Sequence, residues 1–289
     1  MYFVLNNKVT SSVSQSHRSS LITHNFITHL YALIGWPLAH SFSKTFFSEK
    51  FSRENIKNAR YELFPLEYIA DFPKLRAQHP DLKGINVTIP HKESIIPFLD
   101  KLDETARAVG AVNCIKISDN QELTGYNTDV IGFEASLVNF LAQHKIPAQT
   151  THAYILGTGG ASKAVAYVLQ KQNIPFHFVS RSPSHPNEIA YSSLITHNSS
   201  LITHNASLIT HNASLITINT TPLGTFPNIN EMPPVPFEIF KAGNLVFDLV
   251  YNPAETLLLR EASARGCFVQ NGLDMLHLQA EAAWEIWQT

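Results

Sequence analysis

Lys92 in "NVTIPHK" and Asp129 in "NTDVIGF" supply an ammonium and a carboxylate. A carboxylate beside a lysine holds the ammonium in place, ready to donate a proton to an alkoxide. In the opposite direction the free amine accepts the proton of a hydroxyl. The pair alone is also what an ordinary salt bridge looks like. Its surroundings favour chemistry: Asn86, Thr88, Asn113, Asn127 and Thr128 interrupt strand-like apolar runs in the same half of the chain. A buried polar side chain needs a partner, so each is satisfied locally or faces a ligand, and three such clusters point to a ligand.

A second set lies in "AYILGTGGASKAV", where Gly157, Gly159 and Gly160 fall between a strand-like and a helix-like run. Glycines at such a turn let the backbone approach a pyrophosphate, while the helix N-terminus holds its charge. The next strand, "FHFVSR", ends in Ser180 and Arg181 followed by Ser182, with no acid. An NAD site places an Asp or Glu there for the ribose 2′-hydroxyl, whereas arginine suits a 2′-phosphate, so the expected cofactor is NADP. A nicotinamide with a positioned proton donor is the apparatus of alcohol–ketone interconversion. Ser41 and Ser43 in "HSFSKTFF" add a helix start with free hydroxyls, which suits a carboxylate; capping accounts for one serine but not for both.

The elements that must position these groups alternate. From Leu30, strand-like "LYALIG", helical "SKTFFSEKFSREN", strand-like "RYELFPL", helical "YIADFPKLRAQ" and strand-like "GINVTIP" follow one another, predicting an α/β fold with a mostly parallel sheet. After helical "DVIGFEASLVNFLAQHK" a second series runs through "AYILG", "SKAVAYVLQKQN", "FHFVSR", "LITINTT" and "NLVFDLVY". A closing helix has apolar Leu273, Leu276, Ala280, Ala283 and Ile286. Residues 1–29, rich in Ser, Thr, Asn and His, are expected to be a mobile tail.

With 289 residues the chain has room for two domains, and 21 basic against 23 acidic residues leave no broad electrostatic footprint for nucleic acid or an anionic membrane. The expected partner is a small-molecule substrate. Cys114 and Cys267 make no disulfide framework, which fits a reducing cytoplasm, and neither an export signal nor a membrane span is expected.

The unit SSLITHN recurs from Ser192 to Thr217, with a further copy at Ser19 to Asn25. As a helix it offers only a narrow Leu/Ile stripe built from mediocre helix formers, and the sequence leaves the conformation of these copies open. The last unit, "SLITINTT", reads as a strand. His197, His204 and His211 lie roughly 10.5 Å apart along a helix, too far for one ion without a chain reversal, and no metal is expected.

In order along the chain, "IGWPLAHSFSK", "NVTIPHK", "GAVN", "NTD", "LGTGGASKAV", "INTTPLG", "VFDLVYNP" and "NGLDMLHLQA" make the sequence resemble the shikimate dehydrogenase family. The resemblance implies an α/β substrate domain (residues 30–128 with 272–289) and a Rossmann-type NADP-binding domain (129–271, containing the repeat), with the site between them. It implies reversible NADPH-dependent reduction of 3-dehydroshikimate to shikimate by a monomer or homodimer. A quinate/shikimate dehydrogenase using NAD or both cofactors is the alternative, and a catalytically silent ligand sensor a more distant one. Lys92 and Asp129 match the catalytic pair. Ser41, Ser43 and Tyr251 match residues holding the substrate carboxylate, and Asn86, Thr88, Asn113 and Gln279 match those contacting the ring. Gly157, Gly159, Gly160 and Ala161 match the phosphate turn, and Thr220, Leu249 and Gly272 the nicotinamide end. Beyond Arg181 the family often carries a second basic residue, where this chain has only His185 nearby.

Overall fold

The computed structural model describes residues 28–38, 42–204 and 214–289. Its first half runs β1 (His29–Gly35), α1 (Phe42–Arg53), β2 (Ala59–Pro65), α2 (Phe72–Gln78), β3 (Leu82–Val87), β4 (Lys101–Leu102), α3 (Glu104–Val109), β5 (Cys114–Ile117) and β6 (Leu123–Tyr126). The unbroken apolar run "LYALI" is β1, buried throughout, with β2 and β3 parallel on either side. A strand covered on both faces has no solvent side and so does not alternate.

The six strands are ordered β2-β1-β3-β5-β6-β4. The parallel pattern expected from the sequence holds for β1 with β2 and β3 and for β4 with β6, but β5 runs antiparallel to both β3 and β6. That reversal brings the C-terminal ends of β3 and β6 and the N-terminal end of β5 to one end of the sheet. Thr88, Asn113 and Thr128, distant in sequence, become neighbours there.

The second half runs α4 (Thr128–Gln143), β7 (Thr151–Leu156), α5 (Gly160–Lys171), β8 (Phe176–Ser180), β9 (Glu188–Ala190), α6 (Leu194–His204), β10 (Ser214–Asn219), β11 (Leu245–Asp248), α7 (Leu257–Ser263), β12 (Phe268–Asn271) and α8 (Leu273–Gln288). Its sheet is wholly parallel, ordered β12-β11-β10-β7-β8-β9. The chain winds outward from β7 in one direction and from β10 in the other, so a crevice opens beyond the ends of these two central strands, where doubly wound folds bind dinucleotides. Strands β9 and β12 were not anticipated; both are edge strands of three or four residues with little patterning of their own.

Helix α8 returns to the first sheet, where Trp287 Nε1 donates to the Ile115 carbonyl at 3.0 Å and the Trp287 ring stacks on Tyr31. The expected strand "SLITINTT" appears as β10, while α6 runs from Leu194 in the first copy of the repeat to His204 in the second. Leu194 is fully buried in a cluster with Tyr154, Leu156, Val179 and Ile239, and His197 Nδ1 lies 3.0 Å from the Tyr154 hydroxyl. Tertiary packing of this kind outweighs weak helix propensity.

Candidate active site

A cavity of about 680 Å³ lies between the two sheets, lined from one side by Asn86, Thr88 and Lys92 and from the other by Thr220, Leu249 and Tyr251. Lys92 Nζ stands 2.7 Å from Asp129 Oδ2, with the two side chains only 16% and 8% exposed. Asp129 lies in the first turn of α4, whose N-terminus favours negative charge, and Asn127 caps that turn by accepting from the Val130 amide at 3.3 Å. Asn127 also donates to the Ala111 carbonyl at 2.8 Å. It is therefore satisfied locally, and like Thr128, which is fully buried behind Asn113, it shapes the site without lining the cavity.

The other carboxylate oxygen, Asp129 Oδ1, accepts from Asn113 Nδ2 at 2.9 Å. Asn113 Oδ1 accepts from the Thr128 amide at 2.7 Å, while Gln279 Oε1, reaching in from α8, lies 3.3 Å from Asn113 Nδ2 and from Thr128 Oγ1. A buried network with matched donors and acceptors is rigid and leaves the Lys92 ammonium held from one side only.

A second chain of hydrogen bonds leads away from this cluster. Asn86 Nδ2 donates to the Asn113 carbonyl at 3.4 Å, Asn86 Oδ1 accepts from the Tyr61 hydroxyl at 2.7 Å, and the Tyr61 oxygen is bonded in turn to the Ser43 hydroxyl. Burial pushes the Tyr61 phenol well above its ordinary range, so it stays neutral and polarised between its partners. Ser43 lies in the first turn of α1 and lines the cavity. Across it, the Tyr251 hydroxyl bonds the Phe42 amide, and its ring packs edge-on against Phe42 with centroids 5.8 Å apart. Thus Ser43 and Tyr251 meet at the N-terminus of α1. Ser41 lies outside the described residues.

The glycine turn joins β7 to α5. Gly157 has φ of +102°, a left-handed value that disfavours a side chain, and Gly159 begins α5 without a side-chain cap. A Cβ on Gly159 would meet nothing within 4 Å, whereas one on Gly160 would come within 3.2 Å of the Lys92 Cβ. The turn is open on the side where a pyrophosphate would sit and closely packed on the side of the catalytic candidates. Ala161 and Gly272 line the cavity, while Gly157, Gly159, Gly160, Ser180 and Arg181 do not. Arg181 is exposed just past the end of β8, where a 2′-phosphate would be met. These residues fit a dinucleotide whose nicotinamide reaches the cavity and whose adenosine lies along the end of the second sheet.

Two polar clusters escaped the sequence reading. Asp248, fully buried at the end of β11, accepts from Asn219 Nδ2 at 2.8 Å, from the Val250 amide at 3.0 Å and from Thr256 Oγ1 at 2.6 Å. The same signal that marked Asn86, a polar residue closing an apolar strand, was present in "LVFD". On the face of the second sheet beneath α6, His152 Nε2 lies 3.2 Å from His177 Nδ1, and the His177 and His197 rings are 4.4 Å apart. His197 of the repeat thus meets histidines from β7 and β8. Among the described residues no group of three His, Cys, Asp or Glu is arranged to hold a metal ion.

Comparison with known proteins agrees with this geometry. Residues 33–115 match the family described as shikimate dehydrogenase substrate binding domain. The NADP(+) shikimate dehydrogenase of Methanococcus aeolicus is 36% identical over 91% of this chain and 93% of its own length. Crystal structures of shikimate dehydrogenase 1 from Peptoclostridium difficile (TM-score 0.74, 34% identity, 90% and 92% coverage) and of shikimate 5-dehydrogenase from Thermus thermophilus with NADP(H) and shikimate (TM-score 0.69, 28% identity, 90% and 93% coverage) share the fold. At 36% identity over 91% of its length to a relative that it covers to 93%, this chain belongs to the shikimate dehydrogenase family.

Proposed function

We propose that the chain catalyses the reversible reaction of 3-dehydroshikimate, NADPH and a proton to give shikimate and NADP+. The observation that carries this reading is the Lys92–Asp129 pair at the wall of the cavity between the two sheets, beside the glycine turn. When bound, the nicotinamide supplies the hydride to the keto carbon. Lys92 donates the proton to the oxygen that becomes the hydroxyl, and in shikimate oxidation it takes that proton back. Asp129, locked by Asn113, keeps the Lys92 Nζ aimed into the cavity. Ser43 and Tyr251, with Ser41 in sequence beside them, bind the substrate carboxylate at the start of α1. Asn86, Thr88, Asn113 and Gln279 orient the ring. Gly157, Gly159, Gly160 and Ala161 hold the pyrophosphate, Ser180 and Arg181 the 2′-phosphate, and Thr220, Leu249 and Gly272 flank the nicotinamide.

Steady-state turnover of shikimate with NADP+ tests the reading directly. In Lys92→Ala, kcat falls by about 10²- to 10⁴-fold while cofactor binding by fluorescence titration is retained; near-normal kcat in that variant removes Lys92 from the chemistry. Absence of any turnover by the intact protein favours a silent sensor. One observation supports use of NAD as well: Arg181 is followed by Ser182, Pro183 and Ser184 with no second base before the exposed His185. The ratio of kcat/KM for NADP+ and NAD+, measured with shikimate and with quinate, decides between the two.

A further inference from the structure

We propose that Asp248 is a positioning residue for this reaction, whose carboxylate ties the loop after β10 to the loop after β11 and so sets the cavity wall that faces the nicotinamide. The inference rests on the proposed assignment of Thr220 and Leu249 to the cofactor wall. Asn219, held by Asp248 Oδ1 at 2.8 Å, accepts in turn from the Thr221 amide at 3.0 Å and the Thr221 hydroxyl at 2.7 Å. Thr220, Thr221 and Pro222 line the cavity. On the other loop, Asp248 Oδ1 takes the Val250 amide at 3.0 Å, and Leu249, Val250 and Tyr251 also line the cavity. Oδ2 takes the hydroxyl of Thr256, which itself caps α7 by accepting from the Leu259 amide at 3.3 Å. One carboxylate therefore fixes two loops and the helix that follows them, and it touches neither substrate nor cofactor.

All three partners are donors, so the site is built for a group that only accepts. A protonated Asp248 keeps the Asn219 and Val250 bonds on Oδ1, but its Oδ2–H and the Thr256 hydroxyl then compete as donors, so the Thr256 bond must reverse or break. No charge compensates the carboxylate. Asn219 faces it from β10, Thr256 from the start of α7, the Val250 amide from the loop after β11, and Asn271 stands opposite on β12. The ionisable side chains on those elements are Tyr251, Glu255, Arg260 and Glu261; Glu255 and Arg260 are exposed, and Glu261 pairs with Arg265. Burial without a counter-ion pushes the Asp248 carboxyl up to about 6, against the pull of Thr256, Val250 and Asn219. The wall should thus loosen within a pH range where the enzyme can be assayed.

The experiment compares kcat/KM for NADP+ in the wild type and in Asp248→Asn across about pH 5 to 7.5, a range that brackets the Asp248 titration near 6. At the upper end the wild type is faster by about tenfold, the worth of one hydrogen bond to a buried charge. At the lower end, with Asp248 itself neutral, the ratio closes to about twofold or less. A role in folding alone leaves the ratio the same at every pH, and that result overturns the proposal. Should the Asn variant fail to fold, Thr256→Val removes one donor while keeping the carboxylate, and Thr256→Ser retains the donor. The first moves the acid limb of the wild-type profile to higher pH and the second leaves it in place; an unmoved limb in Thr256→Val overturns the proposal. Thr220→Val separates this inference from the reading beneath it. An unchanged KM for NADP+ in that variant removes the cofactor wall and the inference together, whereas a raised KM with a pH-independent Asp248→Asn ratio removes the inference alone.

Discussion

The Lys92 cluster and the histidine cluster beneath α6 are both polar groups withdrawn from water, yet they are built on opposite terms. Around Lys92 the positive charge meets a negative one: Asp129 at 2.7 Å, with Asn113 on the far carboxylate oxygen at 2.9 Å. Around His197 the described residues gather two further imidazoles and the Tyr154 hydroxyl. Burial, with the neighbouring imidazoles, lowers His152 to about 4, and burial lowers His177 and His197 as well. The first cluster is charged and opens onto the cavity; the second is kept neutral and holds a helix against a sheet. Accessibility to a ligand, together with charge compensation, distinguishes a site for chemistry from a packed polar contact.

The sharpest way to break this contrast is to remove one group from each cluster and measure both activity and stability. Lys92→Ala should abolish nearly all turnover, while the thermal midpoint moves by no more than about 4 °C, the equivalent of roughly 1 kcal/mol in a chain of this size. A variant that unfolds without losing intrinsic kcat reverses the assignment of the two clusters.

Stability against pH probes two uncompensated buried groups with opposite signs. Asp248 is raised by burial from 3.8 to about 6, so the folded state binds its proton more tightly. Its contribution is full below 3.8 and is lost as pH rises through about 6. His152 is lowered from 6.5 to about 4, so its contribution is full above 6.5 and is lost as pH falls through about 4. Each amounts to about 3 kcal/mol, and in the wild type they largely offset one another, tilted by His177 and His197 toward greater stability at higher pH. In urea denaturation, Asp248→Asn should show stability rising steeply with pH over this window, and His152→Gln should show it falling. Parallel profiles in the two variants contradict the opposed signs.

The smallest effect belongs to the repeat itself. His197→Phe gives up the contact with Tyr154 and should cost about 1 kcal/mol of stability, with kcat/KM unchanged within about twofold. A loss of activity larger than the loss of stability would bring the repeat into the function.

Much of the site was legible as residue types at strand ends. Asn86, Asn113 and Asp129 were marked because a polar group in an apolar run demands a partner, and the structure gathers them around Lys92. Asn127 carried the same mark but is spent on capping α4, since a side chain's rotamer is invisible in sequence. Asp248 was passed over inside a strand read only for its hydrophobicity. The histidine cluster joins residues from β7, β8 and α6, and no spacing along the chain announces a contact across three elements.

The repeat shows where local sequence stops deciding. Leu194-Ile195-Thr196 opens α6, and the identical Leu215-Ile216-Thr217 lies in β10. Ile195 is 43% exposed, whereas Ile216 is fully buried between β7 and β11. Both leucines enter the same apolar cluster, but one arrives on a helix laid over the sheet and the other within the sheet itself. The sequence by itself determined the alternation of strands and helices, the glycine turn and the stock of candidate catalytic and binding groups, because hydrophobic period and residue chemistry are local properties. The tertiary structure decided the reversal of β5 that gathers the site, the buried links of Asp248 and the two conformations of one repeated tripeptide, because each depends on which surfaces distant segments bury against one another.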